Sequence, residues 1–285
     1  MKAEVILITG ASSGIGYQTA KLAAERGHFV IATAPSEALL KDIPANASLS
    51  LVLDLCNEHS IVQALHVIRE KNITLTCLIN NAGYAQPGPV ELVDDARLRK
   101  QFDVNVFGTL ALTRAVLPLL RAQGKGRIIT LSSMLGLVSL PYQGVYAASK
   151  FALEALFEAL RMEVKDFGID VVLIEPGWIS TAFLKTAMAQ ASQQWMTDTT
   201  YGDSLSKYFS ISTEAETEKP TGAAKIAAAM AGSPEQVAQT VIRALEAKAP
   251  KARYPVTVMA KWLPRLARIV PTRLWDKMQT GQFST

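Results

Sequence analysis

A tyrosine and a lysine stand one helical turn apart in the stretch Val145–Phe157, VYAASKFALEALF. Positions i and i+4 share one face of an α-helix, so the phenol of Tyr146 and the ammonium of Lys150 fall side by side. A free phenol ionises near ~10, too high for proton exchange at neutral pH. A neighbouring cation favours the phenolate and draws that value down, which suits general acid–base chemistry. Far upstream, the turn TGASSGIG (9–16) has glycines at 10, 14 and 16, after an apolar run and before a helical pattern. Without Cβ atoms such a loop can lie against a pyrophosphate, with the free N–H groups and dipole of the next helix behind it. No Gly-Lys-Ser/Thr follows, so this is not a nucleotide-triphosphate loop.

The elements that position these residues are short apolar runs alternating with helical patterns. VILIT (5–9), FVIAT (29–33), LSLVL (49–53), TLTCLI (74–79), GRIITL (126–131) and IDVVLIE (169–175) read as strands. Between them lie helical segments at about Ile15–Arg26, Glu58–Lys71 and Asp94–Ala122, the last interrupted by Gly108 and Pro118, and the helix that carries Tyr146. The strand runs are continuously apolar rather than alternating, as expected when helices cover both faces of a parallel sheet. The alternation predicts right-handed βαβ units in one doubly wound α/β sheet. Asp54-Leu55 ends the third run, where Asp54 either accepts from an adenine amino group or caps the next helix. Asn80-Asn81-Ala82-Gly83 ends the fourth, leaving room for a ribose or forming a plain turn. After Pro176-Gly177 the rhythm breaks into a polar, Ser/Thr- and Ala-rich stretch, 178–232, without clear strands. Ser233-Pro234-Glu235-Gln236 then opens a helix running to about Lys248, and YPVTV (254–258) offers a last strand.

The chain has 285 residues, is half hydrophobic and about a fifth charged, and carries a formal charge of +4. It can bury a large core. No basic stripe interleaved with aromatics argues for nucleic acid. Two unpaired cysteines and three histidines argue against a metal cluster, and they fit a reducing, cytoplasmic setting. No secretory signal is read at the N-terminus, and no apolar run reaches the ~18 residues of a membrane span.

Taken together, TGASSGIG, Asp54-Leu55, Asn80–Gly83, Asn105 in DVNVFG, Ser132-Ser133, Tyr146–Lys150 and Pro176–Thr181 resemble the short-chain dehydrogenase/reductase family in order and spacing. The resemblance implies a Rossmann-type sheet of about seven parallel strands, spanning 1–285 as one domain. The substrate loop would be 178–232, and a C-terminal extension would occupy about 250–285. It implies a nicotinamide cofactor held by Gly10, Ser12, Ser13, Gly14, Ile15, Gly16, Asp54, Leu55, Asn81, Ala82, Gly83, Tyr146, Lys150, Pro176, Ile179 and Thr181. Ser133 matches the serine that donates to the substrate oxygen, Tyr146 the acid/base, Lys150 its partner, and Asn105 a residue that fixes a water behind Lys150. The implied reaction is hydride transfer between an alcohol and a ketone or aldehyde.

The residues after the second strand bear on cofactor choice. Neither an acid for a ribose 2′-hydroxyl nor an arginine for a 2′-phosphate stands at Ala34-Pro35. With Thr33, Ser36 and Lys41 as weak phosphate donors, the expectation leans to NADP(H), with NAD(H) as the alternative and Glu37 against it. NNAGYAQPGPVEL and RYPVTV resemble a branch that includes hydroxysteroid and retinol dehydrogenases and acyl-dihydroxyacetone-phosphate reductases. That implies an apolar, steroid- or lipid-like substrate, walled by Phe183, Leu184, Met188, Trp195, Met196, Tyr208 and Phe209. KWLPRLARIVPTRLWDKM (261–278) is expected to dock on the protein's own body or across a subunit interface rather than on a membrane surface. A homodimer or homotetramer is expected by the same resemblance. The rival readings are a catalytically inactive nucleotide sensor, a sugar-nucleotide epimerase and an enoyl reductase.

Overall fold

The continuously apolar runs fold as strands of one sheet in a computed structural model, which describes residues 3–179, Trp195, 200–214, Thr221, Gly222, Lys225 and 229–281. The strands are β1 (Val5–Ile8), β2 (Phe29–Ala34), β3 (Leu49–Val52), β4 (Cys77–Asn80), β5 (Gly126–Leu131), β6 (Ile169–Glu175) and β7 (Arg253–Pro255). They lie in the order β3-β2-β1-β4-β5-β6-β7, all parallel. Winding reverses between β1 and β4, and that reversal opens a crevice at their carboxyl ends.

Alternate side chains of each strand enter opposite core layers. Ile6, Ile8, Val30, Ala32, Ile129 and Val172 pack with Ala20 and Ala23 of α1 (Gly14–Glu25) and Val237 and Val241 of α7 (Pro234–Glu246). Leu7, Ile31, Leu78, Ile128 and Val171 face the other way. They meet α2 (Glu58–Glu70), α4 (Thr109–Ala122) and α5 (Gly144–Glu163) through Ile61, Leu112, Val116, Leu153 and Phe157. The capping box expected at Ser233 is present: its hydroxyl accepts from Gln236 N and Gln236 accepts from Ser233 N.

Four departures from the sequence pattern have physical causes. The helix expected over 94–122 does not break at Gly108. It runs as α3 (Asp95–Phe102), widens into a π-helical turn (Asp103–Gly108), and continues as α4. A Cβ at Gly108 would lie 2.3 Å from the carbonyl oxygen of Leu55, so glycine lets the helix close on the end of β3. Within the 28-residue stretch Asp95–Ala122, an 18-residue window has the mean hydropathy (1.3) of a membrane span, but half of that window is buried inside the protein. Within the polar stretch after Gly177 stands a helix, α6 (Gly202–Glu214), whose buried Leu205, Tyr208 and Phe209 recur at helical spacing among many polar residues.

The last strand stops at Pro255 because Thr257 caps α8 (Val258–Ile269), accepting from Ala260 N at 3.1 Å. Finally, neither proline destroys the C-terminal helical pattern: Pro264 lies inside α8, and Pro271 precedes α9 (Thr272–Thr280). These helices dock on the body through Ala260, Leu263, Ala267 and Trp275, against Met134, Leu135 and Val138.

Arg253 of β7 ties the sheet edge to α5. Its guanidinium lies 3.1 Å from Glu154 Oε2, 2.6 Å from Glu158 Oε2 and 3.3 Å from Glu175 Oε1. Glu175 is buried, and its carboxyl is pushed from 4.5 up to about 7, chiefly by burial and next by the charge of Glu154, with Arg253 opposing. A carboxyl that holds its proton more tightly when folded adds stability below about 4.5, and that stability is lost as pH rises through about 7. Glu175→Gln should therefore flatten the pH dependence. In thermal melts at about pH 5 and about pH 7.5, the wild type should lose roughly 2 kcal/mol more than the variant across that window.

Candidate active site

Helix α5 starts at Gly144, so Tyr146 and Lys150 sit in its first two turns, where it meets the ends of β4 and β5. Both are buried, at 8% and 6% exposure. Lys150 Nζ lies 5.7 Å from the centre of the Tyr146 ring and donates to the Leu131 carbonyl at 2.8 Å. Ser133, just past β5, shares a side-chain hydrogen bond with Tyr146. Its Oγ also accepts from Leu135 N at 3.1 Å, capping a single 3₁₀ turn, Met134–Gly136.

The electrostatics differ from the sequence expectation. Burial pushes the Tyr146 phenol up to about 12, with the Ser133 bond opposing. Burial also brings the Lys150 ammonium down to about 8, with Glu154 opposing. Lys150 does not draw the phenol down here. Dehydration penalises both charged forms, and Nζ is engaged with a carbonyl while lying beside the ring. The result at neutral pH is a phenol that keeps its proton beside an amine that is still mostly charged.

Asn105 projects from the π-helical turn and is 1% exposed. Its Oδ1 accepts from Tyr84 N at 3.1 Å, and its Nδ2 donates to Tyr84 O at 3.0 Å and to Ser149 Oγ at 3.2 Å. Ser149 Oγ in turn donates to the carbonyl of Tyr146 at 2.7 Å. Asn105 thus links the segment after β4 to the start of α5, as a positioning residue.

The glycine turn is laced to β4. Asn81 Nδ2 donates to Thr9 O at 2.8 Å and Gly10 O at 3.1 Å, and Thr9 Oγ1 accepts from the amides of Asn81 and Ala82, both at 3.0 Å. Gly10 has φ +67° and Gly14 φ +54°. A Cβ on Gly16 would lie 2.1 Å from Gly10 O and 2.4 Å from Asn81 Nδ2, so no larger residue fits. No side chain caps the start of α1, which leaves its first N–H groups for an anion.

A cleft of about 450 Å³ joins these parts. It is lined by Gly10, Ser12, Ser13, Gly14, Ile15 and Gly16, by Asp54 and Leu55, by Asn81, Ala82 and Gly83, by Ser133, Tyr146 and Lys150, and by Pro176 and Ile179. Asn105 stands behind it. Thr181 lies outside the described residues, as do Phe183, Leu184, Met188 and Met196. Of the other expected wall residues, Trp195, Tyr208 and Phe209 form a buried cluster with Val93, Val145 and Leu205.

Asp54 does not cap α2. That role falls to Asn57, whose side chain accepts from Ser60 N, while Asp54 Oδ1 accepts from Cys56 N at 2.9 Å. Thr33 is not available to a phosphate: it is fully buried and donates to Ile8 O at 3.1 Å. Ser36, Glu37 and Lys41 are exposed, and Pro35 and Leu39 line the cleft instead.

Sequence reasoning missed Tyr84, Ser149 and Glu154. Ser149 and Glu154 were open to the i+3 and i+4 spacing from Tyr146 and Lys150. Tyr84 serves through its backbone, which leaves no signal in its side-chain type. No group of metal-binding side chains occurs among the described residues.

The glycine-lined turn, the uncapped helix start and the buried Tyr–Lys pair on one cleft fit a dinucleotide with a reacting carbonyl beyond it. Comparison with known proteins agrees. The family model for short chain dehydrogenase matches residues 4–192. An uncharacterized oxidoreductase of Escherichia coli K12, YbbO, is 35% identical over 277 residues, covering 97% of this chain and 94% of that protein. A 3-ketodihydrosphingosine reductase of Bacteroides thetaiotaomicron is 42% identical over 185 residues, 64% of this chain and 66% of that protein. A crystal structure of a short chain dehydrogenase from Burkholderia cenocepacia in complex with NADP superposes with a TM-score of 0.71 at 25% identity, covering 100% of this chain and 98% of that one.

Gly16→Ala is expected to displace the turn, destabilising the fold by about 1–3 kcal/mol. Fluorescence titration with reduced nicotinamide dinucleotides should show binding weakened by about tenfold or more, equivalent to about 1.4 kcal/mol.

Proposed function

This chain belongs to the short chain dehydrogenase family, and from that premise we propose that it interconverts an apolar ketone or aldehyde and its alcohol, with Tyr146 as the proton donor and acceptor. The observation that carries the reading is the buried, protonated Tyr146 phenol on the cleft, bonded to Ser133 and flanked by Lys150. When bound, the nicotinamide dinucleotide supplies or accepts the hydride.

The chain's residues do the rest. Gly10, Gly14, Gly16 and the start of α1 would hold the pyrophosphate, and Asp54 would accept from the adenine amino group. Ala82 and Gly83 would leave room for a ribose, and Pro176 and Ile179 would border the nicotinamide end. Ser133 donates to the substrate oxygen, steadying negative charge as it develops. Tyr146 passes its proton to that oxygen in the reductive direction and recovers it in the oxidative one. Lys150 compensates the phenolate left behind, and Asn105 keeps the start of α5 in register through Ser149.

An apolar substrate is supported by the packing around Tyr146, which comprises Ala85, Met134, Leu135 and Val138. The partial match to a reductase whose name specifies a 3-keto substrate supports a ketone. NADP(H) is favoured over NAD(H): no carboxylate stands at Ala34 or Pro35, and the Burkholderia relative was solved with NADP. Pairing of subunits through α5 and the long helix that runs from α3 through the π-helical turn to α4 is supported by exposed Phe107 in that turn and exposed Phe151 and Met162 on α5. A reducing compartment such as the cytoplasm fits free Cys56 and buried Cys77.

A panel of apolar ketones and aldehydes with NADPH and NADH tests the reading. Turnover is expected with NADPH as the better cofactor. Tyr146→Phe should lower turnover by about 10²–10⁴-fold while dinucleotide binding stays near wild type. Unchanged turnover in that variant would sink the assignment.

A further inference from the structure

Five times in α8 and α9 a cation immediately precedes an exposed apolar residue: Lys261-Trp262, Arg265-Leu266, Arg268-Ile269, Arg273-Leu274 and Lys277-Met278. On α8, Trp262, Leu266 and Ile269 follow one another at i, i+4 and i+7, continuing a stripe that starts at Val258. Lys261, Arg265 and Arg268 form a parallel cationic stripe beside it. On α9, Leu274 and Met278 repeat the arrangement with Arg273 and Lys277. The inner faces of both helices are already occupied by the docking contacts of Ala260, Leu263, Ala267 and Trp275. A second apolar stripe therefore faces outward, with Trp262 57%, Ile269 81% and Leu274 52% exposed.

Charge selects the partner. The five cations and Asp276 give residues 258–280 a formal charge equal to the +4 of the entire chain, so the remaining residues balance to zero. None of the five forms an ion pair among the described residues. Lys261 Nζ and Arg265 Cζ each lie 5.4 Å from the Trp262 ring centre, framing it with positive charge. A second copy of this chain would bring the same cations against themselves. An anionic bilayer satisfies both stripes. Apolar side chains enter the boundary between headgroups and acyl chains, while the Lys and Arg stems reach lipid phosphates.

We propose that α8 and α9 seat this protein on the surface of an anionic lipid bilayer, through the Trp262–Leu266–Ile269 stripe and its flanking cations. The inference concerns the outer face of helices whose inner face packs on the cluster that contains Tyr146, and its test needs no turnover.

The test is flotation of the full chain with vesicles of phosphatidylcholine alone or with added phosphatidylglycerol. Binding to the anionic vesicles should exceed binding to the neutral ones by about tenfold or more at low salt, and should fall sharply at about 0.5 M NaCl. Arg265→Gln and Arg268→Gln should each weaken partition by about fivefold. Trp262→Gln with Ile269→Gln should weaken it further, and unchanged dinucleotide binding would show that these variants fold. Equal binding to both vesicle types, no binding to either, or charge variants that bind like wild type would each overturn the proposal. Sedimentation without lipid provides a second check: if Trp262→Gln with Ile269→Gln dissociates an oligomer, the stripe is an interface between copies and the proposal fails.

Discussion

A phenol and an ammonium buried side by side at the start of α5 govern the rest of this structure. Tyr146 and Lys150 gain proximity from one turn of α5, but burial works against the charged form of each. The surroundings are arranged around that tension. The Leu131 carbonyl accepts a hydrogen bond from Lys150 at 2.8 Å, Ser133 bonds the phenol, and Glu154 sits one turn further along to offset the lost hydration of the amine. Arg253 then compensates Glu154 from the edge of the sheet. A catalytic pair at one end of α5 is thus connected, charge by charge, to β7 at the border of the fold.

The sheet supplies the second constraint. Because winding reverses between β1 and β4, the glycine turn and the Asn80–Gly83 segment end side by side, and Thr9 and Asn81 stitch them together. The stitching fixes the backbone of the turn, and the absence of a Cβ at Gly16 lets α1 start against it. The same crevice continues past β5 to Ser133 and α5, so cofactor and proton donor meet on one surface. Family membership explains why these parts occur together, while the geometry explains why each residue type stands where it does.

Much of this was legible in the sequence because it depends on local pattern. Continuous apolar runs announced buried parallel strands, and i, i+4 spacing placed Lys150 beside Tyr146. What escaped depends on tertiary surroundings. The direction of the Tyr146 shift turns on how completely α5 is covered, which spacing does not encode. Thr33 reads in sequence as a phosphate donor, whereas its hydroxyl is bonded to the Ile8 carbonyl inside the sheet. Asp54 reads in sequence as a candidate cap of the next helix, and only the path of the chain gives that role to Asn57 instead. The π-helical turn at Asn105 and helix α6 were obscured because Gly108 and a polar composition read as breaks.

The central claim, that burial rather than the ammonium sets the resting state of the pair, is open to direct titration. Tyrosine labelled with ¹³C at Cζ and lysine with ¹⁵N at Nζ would be followed by NMR in the chain without dinucleotide, using Tyr146→Phe and Lys150→Met to assign the signals. The account predicts that Lys150 loses its proton near pH 8 while Tyr146 keeps its own until about pH 12. A Tyr146 that ionises near neutral pH while Lys150 stays charged to its ordinary value would contradict it.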